Sequence, residues 1–318
     1  MIRSSIVILL LCIVSGSSCA RLDANLFNPS KVESYNRDNY QGTVDFKLEA
    51  SYHIDDAFIH PISNEISADD GNTVVDIQAL FVGEPERIGE ENYTVILYCH
   101  GNRDHMDFYW PRIKLLANVG AKNLFGVLTL DYHGYGATQG KPSEEGLYAD
   151  VAATITWLED KAKENGRTMK SENFIMYGFS LGTAPAVELT ANPRTDLVAS
   201  KLILEAPFAS AEVMVQDNTR LALPGSFFTN LKIDNAREIK KLTNIPLLWM
   251  HGKNDSFLDI NSHGAVVYKN HPGIEQGDGL RKYSIKVDDA DHSDIPGKLG
   301  DIEYKDYELA IYEFIDKG

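Results

Sequence analysis

An α/β protein built on a mostly parallel sheet is what this sequence predicts, and two observations predict it. Short β-rich runs alternate along the chain with segments of helical period, the pattern of a sheet covered by helices on both faces. One of those runs, residues 173 to 177, leads into a serine held between glycines, Gly178-Phe179-Ser180-Leu181-Gly182, at a strand-to-helix joint. In a parallel sheet, ligands sit at the carboxyl ends of the strands, and Ser180 lies at that edge.

In chain order, the first element is an export signal. Arg3 precedes an apolar run from Ile6 to Val14 that is too short to span a bilayer, and small residues follow. Residues 1–19 therefore read as a secretory signal peptide, cleaved after Ala20 in Ser18-Cys19-Ala20, or as a lipoprotein signal in which Gly16-Ser17-Ser18-Cys19 forms a loose lipobox and Cys19 carries lipid. Either way the protein is expected to be exported, to the periplasm or the cell envelope, with a membrane tether through Cys19 in the second case. Residues 20–42 are mostly polar and read as a tether, and residues 43–318 as the folded domain.

Within that domain the β-rich runs are Thr43 to Tyr52, Thr73 to Phe81, Tyr93 to Tyr98, Leu124 to Leu130, Asn173 to Tyr177, Lys201 to Leu204, Ile245 to Met250 and Lys282 to Val287. No helix separates the first two, which are expected to pair as an antiparallel edge. One helix can be checked by its period: Leu147, Val151, Ile155, Leu158 and Ala162 make a single apolar stripe. Ser143 stands before it as a cap, and Glu144 and Glu145 occupy the first turn, where carboxylates suit exposed amides. Residues 208–241, between two core strands, contain Leu221-Ala222-Leu223-Pro224-Gly225-Ser226-Phe227-Phe228 and read either as a small lid with an apolar face or as a surface excursion.

Composition narrows the function classes. The 318 residues are 43% hydrophobic and 24% charged, ordinary values for a chain with a sizeable core. With 46 acidic against 30 basic residues the formal net charge is −16, which argues against nucleic acid or anionic lipid as a partner. Cys12 and Cys19 belong to the signal region, so Cys99 has no partner for a disulfide inside the domain and reads as a small buried hydrophobe. No His and carboxylate spacing of a metal site occurs, and no cofactor is implied.

A serine hydroxyl needs a base to take its proton and a carboxylate to orient that base. Downstream of Ser180, Asp255 follows the run Ile245 to Met250 in His251-Gly252-Lys253-Asn254-Asp255, and His292 follows the last run in Asp291-His292-Ser293-Asp294. They fall where the orienting acid and the base belong in a Ser, acid, His order. Glu205, closing the run Lys201 to Leu204, is an alternative acid one strand earlier. His100, His133 and His251 stand near strand ends beside glycines and read as packing or pocket-lining residues. The glycines flanking Ser180 suit a sharp turn that exposes the hydroxyl and sets the Leu181 amide at a helix start, one donor for a developing oxyanion. The loop His100-Gly101-Asn102 after the run Tyr93 to Tyr98 offers the Asn102 amide as the second.

The stretches HGN at 100–102, DYHGYGATQGKPSEEGLYAD at 131–150, GFSLG at 178–182, HGKND at 251–255 and DHSD at 291–294 together resemble the α/β-hydrolase fold. Within it they are similar to the small-cap abhydrolase-domain serine hydrolases, a group that includes protein depalmitoylating thioesterases. The resemblance runs from about Asp76 to the C-terminus. It implies an eight-stranded sheet, Ser180 as nucleophile, Asp255 as acid, His292 as base, and backbone donors from Asn102 and Leu181. Arg103, Asp104 and His105 depart from the smaller residues common at that place. The expected activity is hydrolysis of a carboxylic ester or thioester, on a small-molecule or lipid-like substrate, through an acyl-enzyme. The alternatives are a serine peptidase of the same fold and a non-catalytic binding protein on this scaffold.

Overall fold

The computed structural model describes residues 23–219, 225–227, 229–275, 279–300 and 304–317. The expected signal region and Cys19 lie outside them. Among the described residues no helix is long and apolar enough to cross a membrane.

The main sheet has eight strands, numbered here in chain order: β1 (Ile59–Ile62), β2 (Gln78–Val82), β3 (Val95–Cys99), β4 (Gly126–Asp131), β5 (Phe174–Phe179), β6 (Lys201–Glu205), β7 (Leu247–Gly252) and β8 (Lys282–Val287). Their spatial order is β8-β7-β6-β5-β3-β4-β2-β1. Strands β3 to β8 pair in parallel, while β2 runs antiparallel to both β4 and β1. Strands β3, β4 and β5 are buried along their whole length, as a sheet covered on both faces requires. Two apolar clusters do the covering: one packs Leu97, Met176 and Leu204 against the helix Glu144–Glu164, the other packs Ile96, Tyr177 and Ile203 against the helices Met106–Asn118 and Lys305–Lys317.

The helix Glu144–Glu164 forms as its stripe predicts, with Leu147, Val151, Ile155, Leu158 and Ala162 all buried and the Ser143 hydroxyl accepting from the Gly146 amide at 2.9 Å. The antiparallel edge is made by other residues than expected. Thr43 to Tyr52 is not a strand; it finds no sheet partner, and its aromatic residues Phe46 and Tyr52 pack instead on the Tyr304 ring, with centroids 5.4 and 6.1 Å away. The edge strand is Ile59–Ile62, where Pro61 is tolerated because an edge leaves one side of the ladder unpaired. The run Thr73 to Phe81 divides: Val74–Asp76 pairs with Ser67–Asp69 in a separate hairpin, and only Gln78 onward joins the main sheet.

The described part of 20–42 corrects the tether expectation. Asn28–Pro29 pairs in parallel with Arg103–Asp104, in the loop after β3, and Lys31 bridges to Gly136, after β4. The Tyr35 hydroxyl donates to Asp131 at 2.6 Å, the Asn36 amide to Asp107 at 2.6 Å, and the Trp110 indole to Asp38 at 2.8 Å. The segment is polar because polar groups hold it across the carboxyl edge of the sheet.

Candidate active site

Strand β5 ends at Phe179 and the next residue, Ser180, takes φ +51°, a left-handed conformation that costs a non-glycine residue roughly 1–3 kcal/mol. The turn Ser180–Gly182 then feeds the helix Thr183–Ala191. Its tightness explains the glycines. A Cβ on Gly178 would lie 2.6 Å from both the Gly182 carbonyl oxygen and the Thr183 Cα, and a Cβ on Gly182 would lie 1.9 Å from the Cys99 carbonyl oxygen. The second contact also shows that the helix start is pressed against the end of β3, next to the loop that carries Asn102.

Ser180, His292 and Asp255 come together from three strand ends. Ser180 Oγ is 2.9 Å from His292 Nε2, and His292 Nδ1 is 2.8 Å from Asp255 Oδ2. In the tautomer these contacts require, Nδ1–H donates to the carboxylate and Nε2 accepts from the serine. Asp255 Oδ1 accepts the amides of Phe257 at 3.0 Å and Leu258 at 2.7 Å, and His251 Nε2 lies 3.2 Å from Oδ2. Burial by itself would raise the Asp255 carboxyl; the hydrogen bonds from His251, His292 and Leu258 outweigh it and hold the group well below the usual carboxylate range. Asp255 is thus ionised and fixed. The His292 loop is braced in turn by Asp291, whose Oδ1 accepts the amides of Ser256 at 2.7 Å and His292 at 2.8 Å. The imidazole lies between the Phe179 and Phe257 rings, at 5.4 and 5.1 Å.

Glu205 does not reach this group. It is fully buried, Arg112 Nη1 donates to its Oε1 at 2.6 Å, and the hydroxyls of Tyr177 and Tyr307 donate to its Oε2. The alternative acid is therefore excluded. It continues the face of Ile203 and points into the core beneath the helix Met106–Asn118, because alternate residues of a strand face opposite ways. Arg112 links this buried cluster to the site: its Nη2 donates to the Ser293 carbonyl at 2.6 Å and its guanidinium lies 4.0 Å from the Phe179 ring centre.

Above Ser180 opens a cavity of about 300 Å³ lined by Asn28, Asp45, Asn102, Arg103, Phe108, Tyr109, Phe179, Phe257, His292 and Ser293. Asn102 thus shares the cavity with Ser180, and Leu181 follows Ser180 with its side chain packed in the core. No described residue of 208–241 lines it. The described part of that segment, the helix Ala211–Thr219, the turn Gly225–Phe227 and residues 229–241, supplies no wall, and residues 221–224 and 228 of its apolar stretch lie outside the described residues. Asn28 and Asp45, from the N-terminal part of the chain, line it instead among the described residues. Sequence reasoning passed over them because they carry no apolar period.

His251 reads differently in place: fully buried, its Nε2 donates to the Leu258 carbonyl at 3.0 Å and lies 3.2 Å from Asp255 Oδ2, four residues on in His251-Gly252-Lys253-Asn254-Asp255. His100 Nε2 lies 3.0 Å from Asp131 Oδ1, and His133 Nδ1 lies 2.5 Å from Asp150 Oδ1; both are buried braces. Cys99 is fully buried, and burial pushes its thiol well up, so it stays protonated.

Comparisons with known proteins agree with this architecture. The family model described as Hydrolase_4, serine aminopeptidase S33, matches residues 90–244. The chain is 34% identical over 183 residues to alpha/beta hydrolase domain-containing protein aho-3 of Caenorhabditis elegans, covering 57% of this chain and 49% of that protein. It is 32% identical over 177 residues to alpha/beta hydrolase domain-containing protein 17B of Homo sapiens, covering 56% and 54%. The chain thus spans about half the length of the curated relatives it matches. Among solved structures, esterase Pf2001 of Pyrococcus furiosus superposes with TM-score 0.61 at 15% identity, covering 92% of this chain and 98% of that one. Esterase RhEst1 of Rhodococcus sp. superposes with TM-score 0.53 at 16% identity, covering 82% and 99%. The eight-stranded sheet, the strained serine turn and these superpositions together show that the chain has the α/β-hydrolase fold.

Proposed function

We propose that this protein hydrolyses carboxylic esters or thioesters through an acyl-enzyme on Ser180. The observation that carries the reading is the unbroken relay of contacts, 2.9 Å from Ser180 Oγ to His292 Nε2 and 2.8 Å from His292 Nδ1 to Asp255 Oδ2, opening on a cavity. His292 takes the serine proton as Oγ attacks the carbonyl carbon, and the imidazolium is stabilised by Asp255. The amides of Leu181 and Asn102 receive the oxyanion. His292 then gives its proton to the leaving alcohol or thiol, the acyl-enzyme forms, and a water activated by His292 releases the acid. A cavity of about 300 Å³ walled by Phe108, Tyr109, Phe179 and Phe257 favours compact acyl groups, since it is at the small end of ligand pockets.

The test is a fluorescent fluorophosphonate applied to the mature protein and to Ser180→Ala, followed by esters and thioesters graded by acyl length and a set of aminoacyl amides. Labelling of the parent alone, with turnover highest on short acyl esters, is the expected result. An unlabelled, folded parent would overturn the reading in favour of a binding scaffold. Turnover of aminoacyl amides above esters would favour a peptidase, in keeping with the description of the matching family model.

Export and lipid attachment belong to the same proposal. They rest on the apolar run Ile6 to Val14 and on Cys19. A lipid on Cys19 would hold Asn28, nine residues on, within roughly 30 Å of the bilayer surface, the span of a fully extended chain of that length. Loss of the protein from the membrane fraction in Cys19→Ala would support it, and unchanged fractionation would refute it.

A further inference from the structure

The Asn102 side chain is held by more than its own loop. Its Oδ1 accepts from the backbone amide of Asn28 at 2.9 Å and from the Tyr135 hydroxyl at 2.7 Å, and its Nδ2 donates to the Leu26 carbonyl at 2.8 Å. Two of these three bonds come from residues 74 and 76 positions earlier, in a segment anchored by its pairing with Arg103–Asp104 and by the Gly136 amide donating to Ser30 at 2.8 Å. The following residues, Arg103 and Asp104, are part of that pairing, and Asp104 has φ +58°, so the loop after β3 is shaped where the segment crosses it. The family model begins at residue 90, so this N-terminal segment lies outside the part of the chain it matches.

We propose that residues 26–30 are a positioning strap for catalysis: by clamping the Asn102 side chain from outside the hydrolase core, they hold the Asn102 backbone amide at the oxyanion and close the cavity over Ser180. This rests on the proposed hydrolase reading. The strap touches no reacting atom. It acts by fixing a donor whose value depends on being in place before charge develops, and displacement of such a group by about 1 Å can cost about a hundredfold in rate.

Three variants of the full chain test it. Asn28→Pro removes the amide that donates to Asn102; Asn102→Ala keeps the proposed oxyanion amide and removes the clamp; Tyr135→Phe removes the donor on the body side. Each is assayed on a short acyl ester for kcat and KM and for its affinity for a phosphonate transition-state analogue, well below its own melting temperature. The expected result is a fall of roughly tenfold or more in kcat with KM within about twofold, an equal loss in analogue affinity, and no further loss when Asn28→Pro is added to Asn102→Ala. A merely structural strap would instead give lower melting temperatures, unchanged analogue affinity in the folded fraction, and additive losses; that result overturns the proposal. So does parent-like kcat in Asn102→Ala, which reads the clamp even if Asn28→Pro fails to fold. A parent that neither hydrolyses esters nor reacts with fluorophosphonate overturns the hydrolase reading itself, and is told apart because it needs no variant.

Discussion

Two carboxylates stand at the carboxyl ends of adjacent strands of the same sheet, Glu205 closing β6 and Asp255 three residues past the end of β7, and they do opposite work. Asp255 has left the strand, so its side chain is free of the alternation of faces. It takes two amides on one oxygen, and His292 and His251 on the other. Glu205 is still inside the ladder, opposite Phe179 and Met250, and its direction is set by register; it meets Arg112 and two tyrosines in the core. A carboxylate's chemistry here follows from whether it lies on the strand or on the loop beyond it, and from which charge it meets there.

Four experiments test these roles. The largest effect is expected from Asp255→Asn, which keeps the shape but disrupts the tautomer and removes the charge behind His292; kcat should fall by about 10⁴ with KM little changed. Glu205→Gln should do the reverse. Leaving Arg112 buried beside a neutral amide is expected to cost about 3 kcal/mol of stability in urea unfolding, while kcat stays within about tenfold. If the two substitutions exchange these effects, the assignment of the acid is wrong.

A third experiment concerns a buried group that meets no carboxylate. His271 is 2% exposed, its Nε2 faces the Ile245 carbonyl at 2.9 Å, and its Nδ1 accepts the Gly273 amide at 3.1 Å, an arrangement suited to the neutral ring. Burial, aided by nearby Lys282, lowers it from 6.5 to about 4. Between those values the unfolded chain binds the proton and the folded one does not. Stability should therefore fall as the pH drops from about 6.5 to about 4, by about 3 kcal/mol from this group, and level off below. Urea unfolding at a series of pH values, with His271→Gln as the comparison, checks it: the variant should lose that part of the slope. The smallest effect is expected from His251→Leu, which removes one of the two histidine donors to Asp255 and should lower kcat about tenfold, with KM unmoved, in steady-state assays on the best ester. A kcat equal to the parent's would leave His251 a packing residue only.

Much of the candidate site was legible because its signals are local. Gly178 and Gly182 mark a turn too tight for a Cβ, and the order Ser180, Asp255, His292 follows from which strands end at the same edge. The helix Glu144–Glu164 was legible through its buried stripe and its serine cap. Residues 23–42 were not, since they dock through backbone amides and single polar side chains that leave no periodic trace. The edge strand Ile59–Ile62 was hidden by Pro61, and Glu205 stayed open as an alternative to the favoured Asp255 while the face of β6 was unknown.

By itself, then, the sequence determined the six parallel strands of the sheet, the strained turn at Ser180 and the identities of the acid and base candidates, because these depend on residues adjacent in the chain or on a short period. Only the tertiary structure decided which carboxylate meets His292 and what walls the cavity. Strand register turned Glu205 into the core, and the crossing of an N-terminal segment over the loop after β3 put Asn28 beside Asn102. Both depend on contacts between residues far apart in the chain, made only once the sheet has closed.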